Sequence, residues 1–530
     1  MKNRSIVANG SVVSSFSDAL RQCIEYGGAL EKIFQKRQVR RIESHLSNLK
    51  CATVVIESNY VDHDFLEDYA HYYVRCFRQY DRTCIRLHFF SEEFSLSKID
   101  SIVLGEDKAL LDKAKKSYLG FVVVRPLQNT IIGRSCLIPC QEHCGDKRCH
   151  FDALCDVDVS FFGQKFTIRC MPFQEQDRNV SSCATSALWS TFNVTSRLFS
   201  HPTLSPAKIT LIAKSNGASL RRAIPSREGL LANEMAYVIR HLGLDVVAVS
   251  FHRMKDSLRK NSLLGNIYAY LSIGIPVVLL GTFLDSDKNG EKITKKHAIV
   301  VNGYGMNNEC RTLPILPEER LYACDLISEI FVNDDCVGPY VNLRIPKIEQ
   351  RNSGLDRVDM LTLWHERNEC PKPFQVLYLL APVYEKIRVS YEEVWNMAYP
   401  FDSWSSFYFR AIKMKWQIRL VRSNAFKESF RNKANVSNND RLRVLKLGMP
   451  KYLWEITVLL NDVENAIFCV DATDAGQGLN IILSVFLYSD LLKIAYGLRQ
   501  KGCFEIVSSA INDVCFKALR DNYSQDEFSF

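Results

Sequence analysis

The sequence predicts an α+β protein, with a central domain of helices packed on an antiparallel sheet and flanking N- and C-terminal domains of mixed helix and strand. Three observations carry that expectation. A chain of 530 residues is too long for one hydrophobic core, so two or three domains are expected. Hydrophobic residues make up 47% and charged residues 24%, the balance of a folded globular chain. In the central third, helix-like stretches come first and strand-like stretches follow, the order of an α+β domain rather than of alternating βαβ units. The boundaries read from the chain are 1–169, 170–345, a polar linker at 346–372, and 373–530.

Each element follows from local pattern. In the first part, Phe16 to Leu49 reads as helix, Thr53 to Glu57 as a short strand, and Asp62 to Phe77 as a tyrosine-rich helix. Tyr118 to Pro126 is a buried strand closed by proline, and Ile131 to Arg134 and Cys155 to Phe166 are further strand-like runs. In the second part, a helix follows Cys183, and a second runs from Arg227 to Leu242 and stops at Gly243. Val246 to Phe251 is a strand and Leu263 to Ile273 a helix. Pro276 to Leu280 and His297 to Val301 are strands joined through the turn sequence Asp287-Lys288-Asn289-Gly290, and Glu329 to Asn333 is another. The third part carries strands at Val376 to Leu380, Gln417 to Val421 and Ile467 to Val470, with helices near Glu392 and at Ser484 to Arg499.

Composition excludes some classes. The formal net charge of +8 is modest for this length and demands no acidic partner. The basic run from Lys36 to Arg41 is interleaved with apolar Val39 and reads as a solvated helix face, so no nucleic-acid partner is expected. No apolar run follows Met1 to Arg4, and the 18 cysteines are scattered, so a cytoplasmic, reducing location with mostly free thiols is expected. Asn266 to Leu284 approaches membrane length but holds Gly274 and Pro276, and Leu479 to Leu498 holds Asp490 and Lys493. Both read as buried elements, so no membrane span is expected.

Four short stretches carry chemistry. Ser181 and Ser182 can cap a helix that opens at Cys183, where the partial positive charge of the helix start favours thiolate over thiol. His297 opens an apolar strand that ends at Gly303, which gives an imidazole a fixed direction and suits a general base. Asp334 ends the next strand and can hold that imidazole in one tautomer. Asp335 is the second choice for this role, and Asn333 is a third. Gln176 can supply a side-chain amide to an oxyanion beside the Cys183 backbone N–H, with Gln174 behind it.

In this order, a Gln, Cys183-Ala184 with Ala187 and Trp189, His297-Ala298-Ile299-Val300-Val301 with Gly303-Tyr304, and Asn333-Asp334 resemble a papain-like cysteine peptidase, in the style of the bacterial C39-like and AvrRpt2-like branches. The flanks resemble segments of uncharacterised bacterial multi-domain proteins. The resemblance implies a thiol protease with Cys183 as nucleophile, His297 as base and acid, Asp334 as orienting group and Gln176 as oxyanion donor. It implies a protein or peptide substrate, no cofactor and no catalytic metal, and leaves room for a regulatory partner. The interval of seven positions from Gln176 to Cys183 is slightly longer than the family arrangement. Transglutaminases share the Cys, His, Asp order, so acyl transfer to an amine is an alternative, as is a non-catalytic interaction module on the same fold.

Two other signals are set aside. Cys136, Cys140, Cys144, Cys149 and Cys155, with His143 and His150, gather soft ligands, but no Cys-x-x-Cys pair is present and unpaired thiols are the preferred reading. Asp285 to Gly290 begins like a calcium loop, yet Lys296 stands where a bidentate glutamate is needed.

Overall fold

The computed structural model describes residues 10–24, 30–140, 148–177, 179–215, 223–225, 229–254, 256–286, 292–307, 321–345, 362–365, 374–398, 414–433, 436–460, 462–476 and 480–487. The protein is α+β, built from helices and largely antiparallel sheets. The chain divides into two compact units. One holds Met1–Arg253, Gly274–Gly305 and Glu329–Pro382; the other holds Met254–Ile273, Met306–Ser328 and Val383–Phe530. These units cut the chain elsewhere than at the boundaries read from the sequence. No cut falls at 169/170, because the segment after Cys170 is hydrogen-bonded along the N-terminal sheet. Ser135 N donates to Phe173 O at 2.7 Å, and Glu175 N donates to Ile132 O at 3.1 Å.

In the first unit, Val12–Val13, Thr53–Tyr60, Cys84–Phe90, Tyr118–Val124 and Ile132–Leu137 form a five-stranded sheet in chain order. Tyr118–Val124 is buried along its whole length because the sheet is covered on both faces. Val122 and Val124 pack with Phe16, Leu20, Val39 and Ile42 of the N-terminal helices. Phe121 and Val123 pack on the other side with Phe90, Phe161 and Phe166. The helix expected from Phe16 to Leu49 is three shorter ones, Phe16–Cys23, Leu30–Phe34 and Arg37–Asn48. The first ends at its C-cap Ile24, whose backbone is extended (φ −117°, ψ 103°). The expected Asp62 to Phe77 helix covers only His63–His71, capped by Asp62 accepting from Phe65 N, and tightens into a 3₁₀ turn at Tyr73–Arg75. Cys155 to Phe166 is not one strand but the start of a hairpin, Cys155–Phe161 with Gln164–Cys170. Phe162 and Gly163 both take positive φ, as a two-residue turn of that hand requires.

The second sheet of this unit closes on itself. Val277–Ser286, Lys292–Met306, Ile327–Asp334, Gly338–Arg344, Thr362–His365 and Phe374–Tyr384 are neighbours in that order, and Phe374–Tyr384 pairs back onto Val277–Ser286. Thr362–His365 falls inside the stretch read as a polar linker. Its backbone completes the ring by pairing with both neighbouring strands. Gly281 sits where Val277–Ser286 meets Phe374–Tyr384, and a Cβ there would lie 2.1 Å from Gln375 O.

The other unit holds a sheet ordered Leu321–Tyr322, Met414–Arg422, Tyr452–Leu460, Val463–Asp471, Ile481–Phe486. Leu453 packs with Phe426 and Phe430 on one face. Its neighbour Trp454 meets Tyr270 of helix Asp256–Leu271 on the other. The helix expected near Glu392 is present at 391–398. Ser484, expected to open a helix, instead lies in the last strand, paired with Phe468. The remainder of that expected helix, beyond Leu487, lies outside the described residues. No helix among the described residues is long and apolar enough to cross a membrane.

The turn after Ile327–Asp334 is held by backbone that only glycine can supply. Gly338 has φ +147°, and a Cβ there would lie 2.5 Å from Arg41 Cγ and 2.8 Å from Arg41 Cβ. Gly338→Ala is expected to lower the urea midpoint by an amount equivalent to about 2 kcal/mol or more. An unchanged midpoint would contradict this packing.

Candidate active site

Cys183 is the first residue of helix Cys183–Phe199 and is partly exposed, whereas Leu188, Trp189 and Phe192 further along are buried. The helix is fastened by its indole. Trp189 Nε1 donates to Asp64 Oδ2 at 2.8 Å, and Arg134 donates to the same oxygen at 2.5 Å while lying over the Trp189 ring. Burial opposes ionisation of Asp64, but Arg134, with hydrogen bonds from His63 and Trp189, outweighs it and holds the carboxyl below its usual range. The loop before the helix is tied by Asp177, whose carbonyl accepts from Val180 N and Ser181 N and whose carboxylate accepts from Tyr73 OH. Ser182 occupies the N-cap position, but its hydroxyl makes no capping bond. The expectation of a serine cap therefore fails there.

His297 lies at 7% exposure on strand Lys292–Met306, opposite Gly281, with its ring 5.0 Å from that of Phe283. Its Nε2 is 2.9 Å from Asp334 Oδ1 and 3.8 Å from Asp335 Oδ1. The Cys183 side chain lies near the same imidazole and bears on its protonation. With Nε2 committed to Asp334, Nδ1 is the ring nitrogen left to take a thiol proton. Burial pulls the His297 pKa down, but the Asp334 charge and hydrogen bond, the Cys183 side chain and the Asp335 charge raise it well above the ordinary value. The structure thus brings Cys183, His297 and Asp334 together from three separate elements.

Asp335, the second choice, is buried and farther from the ring. Its Oδ1 has no hydrogen-bond partner among the described residues. Asn333, the third, is engaged elsewhere. Its Oδ1 accepts from Asn302 Nδ2 at 3.0 Å and Tyr340 N at 3.2 Å, and its Nδ2 reaches Pro172 O at 3.3 Å. Asp334 Oδ1 also accepts from Cys336 N at 2.9 Å, which closes the turn around the carboxylate.

Sequence reasoning missed what holds this turn. Gln38 and Arg41, assigned to a solvated basic face, are 9% exposed each. Gln38 Nε2 donates to Asp335 O at 2.9 Å, Arg41 Nε donates to Pro339 O at 3.2 Å, and Arg41 also donates to Tyr340 O. The available signal was Val39 and Ile42 at helical spacing beside them, both fully buried. Lys36 of the same run pairs with Glu175, just ahead of the Cys183 helix.

The two glutamines differ. Gln176 is partly buried in the segment leading to Cys183. Gln174 is buried, lines a small cavity with Ser186, Ala187, Asn333 and Asp335, and its Nε2 has no hydrogen-bond partner among the described residues. The described part of the cysteine-rich stretch holds no ligand set. Cys136, Cys140 and Cys155 are buried free thiols, Cys149 is disulfide-bonded, and His143 and Cys144 lie outside the described residues. The turn from Asp287 to Gly290 also lies outside them. No protein-family model matches the chain, and no curated protein matches it.

Burial pushes the Asp335 carboxyl up from 3.8 to about 7, against the pull of His297 and with the Asp334 charge adding to the rise. The folded state therefore keeps a proton that the unfolded chain releases above pH 4, and this contribution to stability is lost as pH rises through about 7. Comparison of wild type with Asp335→Asn in urea at a series of pH values is expected to show the wild type losing more stability over that window. Parallel curves would contradict the assignment.

Proposed function

We propose that the chain is a papain-like cysteine peptidase or hydrolase that cleaves an amide, peptide or isopeptide bond through a thioester. One observation carries the reading: a single imidazole lies near a helix-start thiol and is hydrogen-bonded to a buried carboxylate. A closed strand ring that carries the histidine, beside a helix that begins with the cysteine, supports the family resemblance.

In this mechanism His297 takes the Cys183 proton, and the sulfur attacks the substrate carbonyl carbon. The oxyanion formed is met by the Cys183 backbone N–H and by a glutamine amide, Gln176 or Gln174. The C–N bond breaks as imidazolium protonates the leaving amine, which leaves an acyl thioester on Cys183. Water, deprotonated by His297, attacks the thioester and restores the thiol. Asp334 holds the ring and stabilises its cationic form throughout. A non-catalytic module has no need of a thiol placed near an imidazole that a buried carboxylate holds, and that placement argues for the enzyme. A transglutaminase-like enzyme would use the same thioester but pass it to an amine.

Turnover of fluorogenic peptide and isopeptide libraries, with and without an added primary amine, tests the reading. Cys183→Ala and His297→Ala are each expected to lose about 10³-fold or more, and Asp334→Ala a smaller amount. Equal turnover in wild type and Cys183→Ala would remove the proposal. Amine incorporation in place of hydrolysis would move it to acyl transfer.

A further inference from the structure

The turn beside the imidazole brings together more donor atoms than thioester chemistry uses. His297, Asp334, Asp335 and Cys336 each offer one ligand atom, and these atoms all lie within 4.8 Å of one another. His297 Nε2 is 2.9 Å from Asp334 Oδ1 and 3.8 Å from Asp335 Oδ1, and Cys336 Sγ is 3.7 Å from Asp335 Oδ2. In a tetrahedral zinc site, with nitrogen and oxygen at about 2.1 Å and sulfur at about 2.3 Å, neighbouring donors lie roughly 3.4 to 3.6 Å apart. With one oxygen taken from each carboxylate the four donor atoms lie within 4.8 Å of one another, so closing on an ion draws the widest pairs in by about an ångström. An independent sign points the same way. Asp335 is 5% exposed, and its Oδ1, 3.8 Å from His297 Nε2, has no hydrogen-bond partner among the described residues, a cost that a bound cation would remove.

We propose that this pocket binds one zinc ion reversibly, through His297, Asp335 and Cys336 with Asp334 completing the set, and that the ion switches the hydrolase off. The mixed donor set of imidazole, carboxylate and thiolate suits zinc better than magnesium or calcium, which take oxygen. Binding sends the Cys336 thiol proton, the imidazole Nε2 proton and, where Asp335 is protonated, its carboxyl proton to solvent. Zinc then occupies the nitrogen through which Asp334 steadies the ring, so His297 can no longer cycle between base and acid. Cys336 is the partly exposed member of the set. The inhibitory role rests on the thiol-hydrolase reading; the binding site does not.

The full-length chain, freed of metal by a chelator, is titrated with zinc chloride alone against a chromophoric competitor, and X-ray absorption of the loaded chain reports the donors. One zinc per chain is expected, with one sulfur among nitrogen and oxygen donors. Cys336→Ser and Asp335→Asn are each expected to weaken binding at least tenfold, and Cys183→Ser to leave it within about twofold. Where turnover is measurable, zinc should abolish it, with at least tenfold more needed for Cys336→Ser. Absence of stoichiometric binding, a sulfur-rich shell, or affinity indifferent to both Cys336 and Asp335 overturns the site. Zinc bound as described to a chain with no thiol-dependent turnover would sink the hydrolase reading and the inhibitory role and leave the site standing.

Discussion

The carboxamide of Asn333 is the constraint on which the rest of the site depends. It accepts from Asn302 on the strand that carries His297 and from the backbone of Tyr340 across the turn, and it donates to Pro172 just ahead of the Cys183 helix. Three stretches far apart in sequence are thereby fixed by one buried side chain, and each carries or adjoins a member of the Cys183, His297, Asp334 group. A buried amide with its donors and acceptor engaged in this way specifies one arrangement, because any other leaves polar atoms unpaired. The helix Arg37–Asn48 reinforces it from outside, since Gln38 and Arg41 grip the carbonyls of the same turn.

The electrostatics of the site follow from that geometry. His297, Asp334 and Asp335 are all buried, so their charges are poorly screened and each depends on its neighbours. Asp334 is close enough to stabilise imidazolium; Asp335, nearly an ångström farther, is not relieved in the same way and retains its proton to higher pH. The second carboxylate is what distinguishes this turn from a simple orienting aspartate. It gives the pocket a capacity for a cation that the acyl-transfer steps do not require.

Much of this was legible in the sequence, for identifiable reasons. Cys183 stood at a capped-looking helix start, His297 on an apolar strand and Asp334 at the end of another; local pattern placed each on its element, although the strand of His297 begins earlier, at Lys292, and His297 does not open it. What local pattern could not give was the environment of charged residues. Arg41 and Gln38 are polar residues within a basic run, and only tertiary packing against Gly338 and Pro339 buries them. Ser182 had a capping residue's identity without its hydrogen bond. Thr362–His365 was too short and its surroundings too polar to stand out as a strand, and its place in the closed ring comes from pairing with strands on both sides. The joining of the N-terminal part to the site was hidden for the same reason. It runs through backbone hydrogen bonds at Ser135 and Ile132, which leave no mark on residue type.

The central claim is that Cys183 is activated by His297 and so differs in kind from the other partly exposed thiols among the described residues, Cys23, Cys51, Cys76 and Cys336. The most direct measurement is the site of adduct formation by a peptidyl vinyl sulfone, read by mass spectrometry of the native chain and of His297→Ala. The account predicts one fast adduct at Cys183 in the native chain, lost in the variant while the fold is retained. Adducts spread across the exposed cysteines, or one at Cys183 that forms equally fast without His297, would contradict it.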